Sequence, residues 1–200
     1  NQNTAVGVRA LKENTTADDN TAIGCEALRA NTTGSKNVGI GCSALTANTT
    51  ASRNTAIGWH ALAANTAAEN TAVGSYSLTA NTTGSNNASF GDMSMYANTT
   101  GQHNTALGYA TLHLNTTASY NVAVGAQTMI SNTTGANNTA VGNEALKANT
   151  TGGENAAFGY HALKANTTNN GSTAVGYKAL TANTAAVNTA VGYEAMEAMT

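Results

Sequence analysis

The side chains best able to do chemistry in this chain follow a glycine that recurs along the whole sequence. Cys25 and Cys42 each come directly after such a glycine and are 17 residues apart. Stacking of successive units would place their Cα atoms about 5 Å apart, which is within disulfide range. The pair is therefore a possible disulfide, with two free thiols as the alternative. The sequence has no CxxC pair and no Cys/His spacing of the zinc-binding kind.

Aromatic side chains occupy the same position after the glycine in five other units. They are Trp59, Tyr109, Tyr160, Tyr177 and Tyr193. Exposed rings can stack on sugars, so these residues are candidates for facing a ligand. The alternative is a ladder of rings that only supports the fold, since the last three tyrosines fall in consecutive units.

Catalytic and cofactor-binding patterns are not found. The four histidines, His60, His103, His113 and His161, have no neighbouring nucleophile or orienting acid in the sequence. No Lys-Ser/Thr pair follows the recurrent glycine as it would in a phosphate-binding loop. The acidic residues are scattered, whereas a glycosidase needs two carboxylates flanking one bond. We therefore expect a protein that is not an enzyme and binds no cofactor or metal.

The elements that would position these residues follow from the period of the repeat. Nine of the eleven glycine spacings are 17 residues and two are 16, and both short ones follow an NTAA variant of the NTTG turn. Numbered from its first Asn, the template is NTA[VI]GxxALxANTT[GA]xx, with columns 1 to 17. Such an array indicates a solenoid. Residues 1–200 form a single repeat array, and we expect it to be a fragment of a longer fibrous protein.

The distribution of charge over the columns predicts the local structure. Fifteen of the eighteen charged residues lie in columns 7, 10 and 17, and columns 2 to 5, 8, 9 and 12 to 15 carry none. The β-branched residues of columns 2 and 4 indicate a short strand that ends at the column-5 glycine. Columns 7 and 10 share a face if the chain is helical there. A short helical or 3₁₀ turn is therefore predicted, with a second strand as the alternative.

The predicted fold is a β-rich solenoid of twelve coils, each with one parallel strand. Column 4 should stack on column 4 and Leu on Leu in the interior, while Asn of columns 1 and 12 form amide ladders beside the column-13 threonines. Because each coil has only two bulky apolar residues, this core is thin. The thin core and the uncharged columns predict that several chains pack together, with columns 7, 10 and 17 facing outward.

The composition limits the classes of partner that this chain is expected to bind. The net charge is −2, only 9% of residues are charged, and no basic patch recommends nucleic acid. The sequence has no long apolar run, so membrane insertion is not expected.

The array NTAVGxxALxANTTG resembles the repeats that precede the chaperone domain in phage tail fibres and related surface proteins. Its N-[TS]-[AV]-[AIV]-G core is also similar to the head repeats of trimeric autotransporter adhesins. The resemblance covers essentially the whole chain. It implies a homotrimeric fibre that works outside the cell, on a virion or a bacterial surface, and that contacts a host glycan or protein receptor.

The expected function is thus the structural shaft or adhesive stalk of an extracellular fibre. The alternative is an ice-binding solenoid, because regular columns of Thr and Asn can order water.

Overall fold

The computed structural model describes residues 2–198 as one parallel β-sheet wound into a solenoid. Each of twelve coils contributes one three-residue strand, and consecutive strands pair in sequence order. The strands are β1 Thr4–Val6, β2 Thr21–Ile23, β3 Val38–Ile40, β4 Thr55–Ile57, β5 Thr71–Val73, β6 Ala88–Phe90, β7 Thr105–Leu107, β8 Val122–Val124, β9 Thr139–Val141, β10 Ala156–Phe158, β11 Thr173–Val175 and β12 Thr189–Val191. The predicted β-solenoid is confirmed. In the twelfth coil, columns 12 and 13 are Met199 and Thr200. These two residues lie outside the described part of the chain.

Backbone hydrogen bonds join neighbouring coils in the turns as well as in the strands. In the ninth coil, Leu146 N donates to Ala162 O of the next coil at 3.0 Å. Glu144 N donates to Ala126 O of the preceding coil at 3.1 Å. Since buried backbone groups must be paired, this ladder holds each column above its counterpart.

The second half of each coil is a run of tight turns, so the predicted helical turn is wrong. Ala145 N donates to Gly142 O at 3.2 Å, and Lys147 N donates to Glu144 O at 3.3 Å. Glu144 has φ +56° and Leu146 has φ +50°, and the same positive values recur in columns 7 and 9 of every coil. A right-handed helix needs negative φ throughout, whereas a type II turn has positive φ at its third residue. Residues 2–198 contain no helix, and no second strand forms in a coil.

The interior is a stack of column-9 side chains enclosed by alanines. Leu or Met of column 9 is fully buried in the ten coils from Leu28 to Leu180. The alanines of columns 3 and 8 are buried around this stack, as Ala140 and Ala145 are around Leu146. Burying one Leu side chain stabilises a fold by roughly 1.5–3 kcal/mol, so the leucine column is the main apolar contribution of each coil.

The column-4 side chains point outward, so the prediction that they stack in the interior is wrong. In β10, Ala157 is fully buried whereas Phe158 is 40% exposed. A strand sends alternate side chains to opposite faces, so burying column 3 exposes columns 2 and 4. The interior has little room beside column 3: a Cβ added at Gly39 would lie 3.2 Å from Leu28 Cγ. Only small residues fit there.

Two buried ladders of asparagine side chains run along the solenoid, as predicted. In column 12, Asn115 Nδ2 donates to Asn98 Oδ1 at 2.8 Å, and Asn132 Nδ2 donates to Asn115 Oδ1 at 2.9 Å. In column 1, Asn121 N donates to Asn104 Oδ1 at 2.9 Å. These amides are fully buried, and the ladder supplies the partners that buried polar groups need.

Candidate functional site

The outward side chains of columns 2 and 4 form a continuous row along the sheet, which we call the strand-face stripe. Every column-4 side chain is exposed or half-buried, and Leu107 is 49% exposed. The column-4 residues are Val6, Ile23, Ile40, Ile57, Val73, Phe90, Leu107, Val124, Val141, Phe158, Val175 and Val191. Column 2 holds Thr in eight coils and Val or Ala in the other four.

The stripe is uncharged and its rows are in register, and sequence reasoning did not locate it. None of its positions is Asp, Glu, Lys or Arg in any coil. In-register pairing, such as Thr139 beside Ala156 and Val141 beside Phe158, places equivalent side chains next to one another in neighbouring coils. The sequence did contain a signal, since column 3 is always Ala, Gly or Ser. That restriction fits a position facing a crowded interior.

Three of the predicted ligand-facing aromatics stack on one another. The Tyr160 and Tyr177 ring centroids are 5.3 Å apart at an interplanar angle of 11°, and those of Tyr177 and Tyr193 are 5.1 Å apart at 9°. His161 stacks on Tyr160 at 3.7 Å. Both faces of Tyr177 are therefore covered by neighbouring rings. Since sugars stack on ring faces, this row offers edges and hydroxyl groups to a ligand.

The other two predicted aromatics lie apart from this row. Trp59 is 48% exposed and meets His60 and Tyr76 edge to face, with both centroid distances 4.6 Å. Tyr109 is exposed, and it lies three coils away from both Trp59 and Tyr160 in the sequence. The five predicted rings therefore form no single platform.

Cys25 and Cys42 are free thiols on the surface of neighbouring coils. Desolvation, and then the adjacent Cys42 thiol, raise the pKa of Cys25. The possible disulfide between these two residues stays a prediction.

The charged side chains of columns 7 and 10 pair along the solenoid. Glu144 accepts from Lys147 and Lys164, each at 2.7 Å, and lies 3.0 Å from His161 Nε2. Hydrogen bonds from the two lysines lower the pKa of Glu144 to about 2. Desolvation, followed by the Lys164 charge, lowers the pKa of His161. The predicted outward position of these columns is confirmed, since none of their charged residues is buried.

Two open grooves of about 520 Å³ each lie beside these charges. One is lined by Arg9, Lys12, Glu13, Arg29 and Ala30. The other is lined by Ser131, Lys147, Ala148, His161, Lys164, Ala165, Thr181 and Ala182. Their basic groups already hold acidic partners within the chain, as Arg9 holds Glu26 at 2.8 Å. The grooves thus carry little free charge for a ligand.

Residues 2–198 contain no group of three or more His, Cys, Asp or Glu side chains placed to hold a metal ion. Within the same range, no helix is long and apolar enough to cross a membrane.

Comparison with protein-family models, with curated proteins and with solved structures gave no match for this chain.

Proposed function

We propose that this chain is the structural shaft of an extracellular fibre, either a phage tail fibre or a bacterial surface adhesin. The observation that carries the proposal is the uniform stack of twelve in-register strands. At about 4.8 Å per strand such a stack is a rod on the order of 50 Å long. A rod of constant cross-section spaces other parts of a protein and can be lengthened by adding coils.

The shaft is proposed to contain several identical chains, most simply three. The ten coils from Leu28 to Leu180 each bury one large apolar side chain completely, and the single chain leaves its column-4 residues uncovered. Association of chains would remove these residues from water, which is favourable in proportion to the apolar area covered. Columns 7, 10 and 17 would then face solvent or a host glycan or protein receptor.

Electron microscopy tests the fibre proposal directly. Antibody fragments raised against this chain should label thin projections on intact virions or on the bacterial surface. Antibody fragments against an unrelated surface protein provide the control for background binding. Label confined to the cell interior would overturn the proposal.

Ice binding remains the second candidate, because a specific feature favours it. Thr of column 2 and Val or Ile of column 4 lie two residues apart on the outward face of the sheet, as in Thr139–Val141. The column-13 threonines fit the role less well, because Thr116 Oγ1 donates to Thr133 O at 3.2 Å and its proton is therefore occupied. Thermal hysteresis of the purified chain tests this candidate. A freezing point equal to that of buffer would eliminate it.

A further inference from the structure

We propose that the strand-face stripe is the surface through which copies of this chain pack against one another along the whole array. The inference rests on the proposed function, because it assigns the contact face inside a shaft of several chains. It narrows the expectation that the uncharged columns pack together to columns 2 and 4.

The stripe has the composition of an interface core. Val, Ile, Leu or Phe fills column 4 in every coil, and the eighteen charged residues of the chain all lie elsewhere. Two rows along a rod of about 50 Å cover on the order of 500 Å². This lies at the upper end of the apolar patches found on monomeric proteins, and flanking columns bring it towards the roughly 800 Å² of a standard interface.

The spacing of the side chains along the stripe determines which kind of protein surface can pack against it. Its side chains repeat once per strand, at about 4.8 Å, in an unbroken line of twelve. A packed helix presents residues at multiples of a 1.5 Å rise, so its side chains fall out of step with the stripe within a few coils. A second copy of this chain has the same pitch and can interlock over its full length. The partner is therefore another copy.

The charged columns support the same choice of face. Lys178 pairs with Glu197 at 3.3 Å, and Arg53 pairs with Glu69 at 2.6 Å, both between neighbouring coils of one chain. Covering such pairs would cost desolvation that their mutual attraction does not reliably offset. Covering the stripe removes only methyl, aromatic and threonine groups from water.

The test compares two triple variants of the whole chain. The stripe variant combines Ile57→Lys, Leu107→Lys and Phe158→Lys, all at exposed column-4 positions. The matched control combines Thr50→Lys, Thr117→Lys and Thr168→Lys, which are exposed column-14 residues in three well-separated coils. Both variants add three positive charges and leave the buried leucine column intact. Light scattering measures the mass at micromolar concentration, and circular dichroism measures folding.

We expect the wild type and the control to be oligomers and the stripe variant to be a folded single chain of 20.1 kDa. If the control dissociates and the stripe variant does not, the face is wrong, although a shaft of several chains survives. A folded wild-type monomer overturns the inference and the multi-chain shaft together. If the chain associates through the stripe but antibodies label only the cell interior, the interface holds and the fibre function fails.

A milder variant keeps the proposal testable if the triple variant does not fold. Leu107→Lys alone should weaken association at least tenfold relative to Thr117→Lys, as measured by the concentration at which the oligomer dissociates. Equal dissociation concentrations for these two single variants would overturn the inference.

Discussion

Buried asparagine side chains set the residue-scale constraint on this fold. The amide of Asn115 donates to Asn98 Oδ1 at 2.8 Å and to Ala118 O at 3.1 Å, and its oxygen accepts from Asn132. An amide is both donor and acceptor, so one residue type can link each coil to the one before and the one after. A carboxylate at this position would have no N–H group and could not donate these two hydrogen bonds.

Asn115→Asp should therefore destabilise the chain by about 3 kcal/mol or more at pH 7, because it buries a charge facing two acceptor oxygens. Thr117→Asp, two residues away at an exposed position, is the matched control and should cost less than about 0.5 kcal/mol. Denaturant unfolding followed by circular dichroism measures both. Equal losses would show that the amide ladder contributes little to stability.

Glu144 predicts how stability depends on pH. Its pKa is held at about 2 by Lys147 and Lys164, below the value of 4.5 expected in an unfolded chain. A lowered folded-state pKa stabilises the fold above the unfolded value, and that stability disappears as pH falls from about 4.5 to 2. The contribution at pH 7 is roughly 1–2 kcal/mol after allowance for solvent screening. Glu144→Gln should lose this amount at pH 7 and almost nothing near pH 2.

His161 also contacts Glu144 and adds its own effect to the dependence of unfolding free energy on pH. His161, whose pKa is lowered, also favours the fold at higher pH, so wild-type stability should fall in two ranges on acidification. Glu154→Gln, at an exposed column-17 position, is the control for the loss of one negative charge elsewhere on the surface. An equal pH profile for Glu144→Gln and wild type would contradict the assigned role of the lysine pair.

At the scale of one coil, the column-5 glycine controls the passage from strand to turn. Gly142 has φ +139°, and a Cβ there would lie 2.3 Å from the carbonyl oxygen of Gly159 in the next coil. Gly142→Ala should therefore destabilise the chain by about 3 kcal/mol or more through backbone strain and steric overlap. Gly171→Asn is the control, because Gly171 has φ +68° and its Cβ would approach only Val187 Cγ2, at 3.9 Å. Thermal melts should shift for Gly142→Ala only.

The coil also shows where sequence reasoning succeeds and fails. The period, the buried leucine column and the asparagine ladders follow from comparing the twelve copies, because each depends on residue type at a fixed spacing. The turns cannot be predicted from this comparison. Residues such as Glu144 and Leu146 favour a helix locally, but in this fold they take positive φ and bond to neighbouring coils. The orientation of the strand was also missed. Hydrophobicity placed Val141 inside, whereas the small interior accepts only Ala140.

At the scale of the whole molecule, each strand within residues 2–198 contacts only the strands beside it. The sheet pairs strands strictly in sequence order, from β1 to β12. The stability of such an array is approximately a sum of coil terms and nearest-neighbour interfaces. Removing one complete coil should then shorten the rod without breaking it.

Deletion of residues 121–137 removes one 17-residue coil and joins Tyr120 directly to Asn138, so that column 17 is still followed by column 1. We expect this variant to fold, with an unchanged circular dichroism signal per residue and a melting temperature lowered by only a few degrees. Deletion of residues 121–129 instead joins Tyr120 to Ile130, which lies in column 10. This shorter deletion puts two coils out of register, leaves buried amides without partners and should cost far more stability. Equal melting temperatures for the two deletions would contradict a solenoid held together column by column.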